Sequence, residues 1–340
     1  MSSTSSHPES AFGTDPFLER GDDGRVLRRQ LLGGSFRFES ASARLLDLVD
    51  AAYAGLPQHK LPIIAPEFHV ELRLVPPRRK PVSGEPPAVQ MQSGADLLCG
   101  MMDASNYVVM SPAQGKALVV ASEDMLDHPY HVRYELIEFA VFTLATRGLG
   151  LVPLHGACVG RNGRGLLLLG ASGSGKSTLA LHSLLCGLDF LAEDAVFVEP
   201  GSMLATGIAN FLHVQAEALR FVDDAEARYW IGEAPVIRRR SGVEKHEADL
   251  RRGQGSIATA PLELAGAVFV SSEWGDDPEV LLERLPEADA VARLTLDQPY
   301  ASGQPGWQAF QQRLATLGMY ELRRGAHPRN SVDALLTLLR

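Results

Sequence analysis

Hydrophobic and polar positions alternate in several distinct ways along the chain. Leu31–Glu39 reads as a short strand. Ser42–Tyr53 carries Leu45, Leu46, Leu48, Val49 and Ala52 at helical spacing and closes at Gly55. Phe68, Val70, Leu72 and Leu74 alternate and share one face of a strand. Tyr107–Ser111 and Lys116–Ala121 pair around a Pro112-Ala113-Gln114-Gly115 turn. Tyr130–Arg147 predicts an amphipathic helix, with Gly148 as its C-cap.

Beyond residue 150 the pattern changes to short, wholly apolar runs. Gly165–Leu169 is a four-leucine buried strand, and Thr178–Leu185 is a helix stopped by Gly187. Phe190–Val198 reads as one hydrophobic strand interrupted by Glu193 and Asp194. Ala265–Ser271 reads as another strand, Gly306–Leu317 as a helix with Trp307 and Phe310 in its core face, and Met319–Arg323 as a strand. Ser331–Leu339 reads as a closing helix capped by Ser331. The Ser/Gly/Asp/Pro-rich residues 1–25 predict a disordered tail. The expected organisation is that tail, an α+β N-terminal domain over 26–150, and an α/β domain over 151–340.

Composition adds exclusions. The chain has 340 residues, 45% hydrophobic, so it has ample length for a core. A net charge of -9 lacks the basic footprint of a general nucleic-acid binder. Cys99, Cys158 and Cys186 are too few and too far apart for a disulfide framework or zinc site, and read as small buried hydrophobes in a reducing compartment. The polar N-terminus has no secretory pattern, and no apolar run is long enough for a bilayer. A cytoplasmic protein is expected, without nucleic-acid or membrane partners. The Arg78, Arg79 and Lys80 cluster lies between prolines and reads as a solvated loop.

The chemistry concentrates in Gly170-Ala171-Ser172-Gly173-Ser174-Gly175-Lys176-Ser177, a full G-x-x-x-x-G-K-[ST] match between a predicted strand and a predicted helix. In such a P-loop the glycines let successive N–H groups turn inward, and the helix N-terminus adds its positive end. Gly170 to Thr178 would therefore bind a nucleoside triphosphate. Lys176 would reach the β- and γ-phosphates, and the Ser177 hydroxyl would ligate Mg²⁺. Glu193 and Asp194 interrupt a strand where unpaired charge is costly, so they read as metal ligands or catalytic acids. His155 precedes Gly156 in Val152–Ala157, and a lone histidine is more often structural. Arg238, Arg239, Arg240, Lys245, Arg251 and Arg252 surround a Ser241-Gly242 turn, as a phosphate contact or as a solvated loop. No ABC signature, guanine-specificity motif or long apolar Walker-B strand is present.

Three segments together, Leu154-His155-Gly156-Ala157, Gly165–Thr178 and Leu191–Val196, resemble the catalytic domain of HPr kinase/phosphorylase in order and spacing. The resemblance is strongest over residues 152–198. It implies a mixed-sheet, P-loop-containing fold related to the phosphoenolpyruvate carboxykinases, with ATP and Mg²⁺ bound at Lys176 and Ser177. It implies that Asp194 serves the acceptor hydroxyl with His155 nearby, that Glu193 stands at the family's first aspartate, and that Lys245 follows a basic turn near the phosphates. The stretch after the acids lacks the family's Arg-Gly core, and the first 150 residues do not match its regulatory domain. The chain thus looks like the broader group of HPr-kinase-related proteins, some of which phosphorylate serine in peptides. The expected activity is transfer of the γ-phosphoryl group to a serine hydroxyl of a protein or peptide. The alternatives are a nucleotide-binding regulator or peptide carrier without transfer, and a small-molecule kinase of the free-serine type. A homo-oligomer is compatible with either.

Overall fold

The computed structural model describes residues 24–79, 84–275 and 280–340. The predicted disordered tail lies outside the described residues except for its last two positions, and Lys80 also lies outside them. Arg25 already begins a strand.

The N-terminal half is a seven-stranded mixed sheet covered by helices. Its strands are β1 (Arg25–Leu31), β2 (Gly34–Ser40), β3 (Glu67–Val75), β4 (Gln90–Gly94), β5 (Leu97–Asp103), β6 (Asn106–Ser111) and β7 (Lys116–Ser122), in the order β1-β2-β3-β7-β6-β5-β4. The β2-β3-β7 core is parallel and the flanks are antiparallel. The single strand expected over Leu31–Glu39 is instead the turn and second arm of a hairpin. Leu32 and Gly33 both take positive φ, 52° and 84°, the pair a two-residue hairpin turn requires. Helix α1 (Ala43–Tyr53) is capped by the Ser42 side chain, which accepts from the Leu45 N–H. The alternating face of β3 meets the other strands in a core where the Phe36 and Phe68 rings lie 4.8 Å apart.

The second long helical stretch runs through α2 (Pro129–His131), a π-helical segment (Val132–Glu138) and α3 (Phe139–Leu149). Its C-cap is Gly150 at φ 68°, not Gly148. Gly148 continues the helix because it lies against the Phe68 ring, where a Cβ would come within 2.5 Å of ring carbon.

The C-terminal half contains a ten-stranded mixed sheet. Its first members are β8 (Val152–His155), β9 (Ala157–Arg161) and β10 (Arg164–Leu169), followed by α4 (Lys176–Leu185) and by β11 (Asp189–Ala192), β12 (Ala195–Glu199) and β13 (Leu204–Gly207). A separate three-stranded sheet, ordered β14-β16-β15, joins β14 (Phe211–Val214), β15 (Val236–Arg238) and β16 (Glu244–Asp249), with α5 (Ala225–Gly232) inserted. The ten-stranded sheet is completed by β17 (Ser256–Ile257), β18 (Leu262–Trp274), β19 (Leu282–Arg284) and β20 (Met319–Arg324). Helices α6 (Glu287–Asp297), α7 (Pro299–Ser302), α8 (Trp307–Leu317) and α9 (Pro328–Leu338) accompany them. The architecture is mixed α/β with mixed sheets. No helix among the described residues is long and apolar enough to cross a membrane.

Strand β10 sits centrally, antiparallel to β9 and parallel to β18, and Leu166–Leu169 are fully buried. Each such leucine contributes about 1.5–3 kcal/mol of burial free energy, which anchors the loop that follows. The run expected as one strand over Phe190–Val198 is two. Strand β11 pairs with β9, whereas β12 pairs with β8 and β13 on the other flank, so the chain crosses the sheet at Glu193 and Asp194. The His155–Gly156 corner makes the matching crossing, and Gly156 N–H donates to the Asp194 carbonyl at 3.2 Å.

Other expectations need correction. Helix α9 begins at Pro328, and its cap is His327, whose ring accepts from Arg329 N–H while Asn330 reciprocates; Ser331 lies inside the first turn and is buried. Cys158 is buried, Cys99 is half-buried and Cys186 is exposed. Arg78 is not solvated: it bridges Asp103 at 2.7 Å and Asp124 at 2.6 Å. The two halves are joined by specific bonds. His59 lies within hydrogen-bond distance of the Thr206 hydroxyl and the Ala258 carbonyl, at 2.7 and 3.0 Å, and Arg251 donates to the Ala54 and Ala51 carbonyls.

Candidate functional site

The segment Gly170–Ser177 lies between β10 and α4, the context its sequence predicts. Gly170, Gly173 and Gly175 take φ of 127°, 81° and 107°, conformations closed to most side chains. A Cβ on Gly173 would meet nothing within 4 Å, so the loop's crest faces open space. Gly175 caps α4 without a side-chain bond, and its first N–H groups are the helix's unsatisfied donors. The Ser174 hydroxyl is buried with no hydrogen-bond partner among the described residues.

The Lys176 ammonium folds back onto its own loop. It donates to the Ala171 carbonyl at 3.0 Å and to that of Gly170. Burial holds its pKa below the usual lysine value, against the opposing charges of Asp297 and Asp194. Two residues that carry no motif brace the loop. Asp297 accepts from Gly170 N–H at 3.3 Å, and Arg324, at the end of β20, donates to the Gly173 and Ser174 carbonyls at 3.1 and 3.3 Å.

The loop opens onto a cavity of about 750 Å³. Ser172 to Thr178 line it together with His155, Glu193, Asp194, Arg239, Arg240 and Lys245, whereas Gly170, Ala171, Arg238, Arg251 and Arg252 do not. Gly170 and Ala171 contribute their carbonyls behind it.

The two acids take different partners. Glu193 is buried; its Oε2 accepts from the His213 backbone N–H at 2.9 Å and lies 3.1 Å from His213 Nδ1, while Oε1 is 3.9 Å from Lys245 Nζ. Burial would raise the Glu193 carboxyl, but His213 holds it below its ordinary value. His213 in turn lies 3.2 Å from Glu247, which pairs with Arg133. A chain of buried charges therefore runs from Glu193 to the π-helical segment.

Asp194 faces the cavity. Its Oδ2 accepts from the Tyr134 hydroxyl at 2.6 Å and from Arg239 at 3.0 Å, and its Oδ1 lies 3.5 Å from His155 Nδ1. Burial alone would raise this carboxyl; the Arg239 charge and the Tyr134 hydroxyl bring it well below the usual carboxylate range. The His155 side chain is 61% exposed, while its backbone is clamped by the buried Gln298 amide, which donates to its carbonyl at 2.9 Å and accepts from its N–H at 2.7 Å. The His155 ring therefore stands exposed at the cavity on a fixed backbone.

The basic segment forms the β15–β16 hairpin. Its arginines diverge: Arg239 turns inward to Asp194 and the Tyr130 hydroxyl, and Arg240 reaches Glu135, Glu85 and the Pro86 and Pro87 carbonyls. Arg251 and Arg252 pair with Asp249 instead, and neither lines the cavity.

Sequence reasoning missed Tyr134, Arg239 as a specific partner of Asp194, His213, Asp297, Gln298 and Arg324. Tyr134 sits off the apolar stripe of its helix, where a tyrosine is an ordinary surface residue, so its sequence carried no signal. The others are brought in by tertiary folding. No protein-family model matches the chain, and a search of curated proteins finds no match.

Proposed function

We propose that the protein is an ATP-dependent kinase of the HPr-kinase-related type, which transfers the γ-phosphoryl group to a serine hydroxyl of a protein or peptide. The observation that carries this reading is that the Gly170–Ser177 loop and the Asp194 carboxylate border one cavity. A phosphate-binding loop alone serves many functions; a loop facing an ionised acid and a histidine is suited to transfer.

The residues fit the nucleotide. The open crest at Gly173, the free donors at the start of α4 and the unpartnered Ser174 hydroxyl suit phosphate oxygens. Lys176 would exchange its loop carbonyls for the β- and γ-phosphates, gaining charged partners for neutral ones. The residues also fit a magnesium ion held partly by phosphate. Among the described residues no three His, Cys, Asp or Glu side chains are grouped to hold a metal. The Ser177 hydroxyl would be its direct protein ligand, with phosphate oxygens and water completing the set, and it would neutralise charge on the transferring group. Glu193, engaged by His213 and Lys245, would set the charge around Asp194 from behind.

In the reaction, the acceptor oxygen bonds to the γ-phosphorus as the bond to the β,γ-bridging oxygen breaks, and ADP leaves with that electron pair. Asp194 orients the hydroxyl and accepts its proton late, consistent with a carboxyl held below its ordinary pKa and a loose transition state. Lys245 and His155 stand beside the acids to neutralise charge on the phosphoryl oxygens.

The test is titration of the protein with ATP and Mg²⁺ by calorimetry, for the wild type and Lys176→Ala. Saturable binding that weakens at least about tenfold in the variant is expected, from the loss of a charge-assisted contact. Equal affinity in a folded variant would remove Lys176 from the phosphate site.

A further inference from the structure

The π-helical segment Val132–Glu138 is the least expected feature around the site. Such turns are rare and recur at functional sites because they re-aim side chains that an α-helix would keep in register. Here the segment sends Arg133 to Glu247 and Tyr134 to Asp194. The Tyr130 and Tyr134 rings stack at 5.4 Å and 12°, and Arg239 lies 5.2 Å above the Tyr134 ring. All three line the cavity.

We propose that Tyr134 is a positioning residue for phosphoryl transfer: with Arg239 it holds Asp194 by Oδ2, which turns Oδ1 towards the acceptor hydroxyl. This rests on the kinase reading above. A carboxylate has two oxygens of equal intrinsic basicity, and only hydrogen bonding distinguishes them. Oδ2 carries two donors, at 2.6 and 3.0 Å; among the described residues Oδ1 has only the His155 ring nitrogen, at 3.5 Å. The vacant lone pairs are on Oδ1, on the side of the exposed His155 ring. The hydroxyl proton then passes to Oδ1 as the acceptor oxygen bonds to the γ-phosphorus and ADP departs with the bridging oxygen's electron pair.

The arrangement gives the N-terminal half a part in the chemistry. Tyr134 belongs to the helix packed on the seven-stranded sheet, and Arg240 ties the hairpin that carries Arg239 to Glu135 on that helix and to the Pro86 and Pro87 carbonyls. Asp194 is therefore aligned by two elements that meet only when both halves are folded together.

The experiment measures ATP affinity by calorimetry and phosphoryl transfer from γ-labelled ATP to two probes, water and a degenerate serine-centred peptide mixture. The proteins are the wild type, Tyr134→Phe, Asp194→Asn and the double variant. Tyr134→Phe keeps the ring and its stacking and removes only the hydroxyl. Transfer is expected to fall about tenfold or more, the scale of one hydrogen bond to a charged group, with ATP affinity held within about twofold. The double variant is expected to be no slower than Asp194→Asn alone, because the tyrosine acts only through that carboxylate. A structural tyrosine would instead add its own loss to the double variant. Unchanged transfer in Tyr134→Phe, or an additive double variant, overturns this assignment and leaves the kinase reading standing. A wild type that binds ATP but transfers to neither probe overturns both.

Discussion

His182 offers a prediction that reads the packing behind the site without reference to its chemistry. It lies in the last turn of α4, it is 4% exposed, and its Nε2 is buried with no hydrogen-bond partner among the described residues. Two effects oppose each other. The helix C-terminus favours an imidazolium by about 0.3–1 kcal/mol. Burial, and then the neighbouring His327 charge, disfavour it and push the His182 pKa down to about 4 from an ordinary 6.5. At about 1.4 kcal/mol per pH unit the difference amounts to roughly 3.5 kcal/mol, so burial wins. The folded pKa is the lower one, so the unfolded chain takes up the proton first. Stability from this residue is therefore complete above about pH 6.5 and falls as the pH drops towards 4. At pH 4.5 the loss is about 2.5 kcal/mol. His182→Leu removes the titration and the unpartnered nitrogen while keeping an apolar group of similar bulk. Urea unfolding at several pH values between 7.5 and 4.5, followed by tryptophan fluorescence, measures both proteins. The two are expected to be similar at pH 7.5, with the variant ahead by about 2.5 kcal/mol at pH 4.5. A difference that stays constant across that range would refute the reasoning.

Two further predictions concern the charges around the site. Glu247→Gln leaves the buried Arg133 with Glu138, 3.7 Å away, as its one carboxylate among the described residues, so unfolding at pH 7 should be easier by about 3 kcal/mol, the low end for breaking a buried pair; a cost below about 1 kcal/mol would show that the pair is not shielded from water. Asp194→Asn should slow transfer about a hundredfold or more with ATP affinity retained, whereas Glu193→Gln should be milder because that carboxylate points to His213; the reverse order in labelled-ATP assays would exchange their roles.

Much of the fold was legible because the signals were local. The apolar stripe of α1, the alternation of β3, the β6–β7 hairpin and the four leucines of β10 each need only neighbouring residues to be recognised. Errors arose where distant contacts decide. Gly148 has the usual signature of a helix end, but the Phe68 ring against it belongs to a strand far away in sequence. The apolar run over Phe190–Val198 has strand propensity throughout, and only the diverging partners of β11 and β12 break it at the acids. Hydrophobic pattern likewise misses β4, whose five residues are all exposed.

The site divided along the same line. The loop with Lys176 and Ser177, and the Glu193-Asp194 pair, are two short runs within one stretch of the chain, and each stands out from its own neighbours. Tyr134 precedes Asp194 by sixty positions and reaches it through the π-helical segment, which no periodicity announces. The basic cluster was visible as charge, but charge alone could not separate Arg239, which meets Asp194, from Arg251, which braces α1.

The central claim is transfer, and incubation of the wild-type protein with γ-labelled ATP, Mg²⁺ and the serine-centred peptide mixture tests it most directly. The account predicts that label moves from ATP to phosphoserine in the peptides. ATP bound at the loop with all of its label still in the nucleotide after prolonged incubation would contradict it.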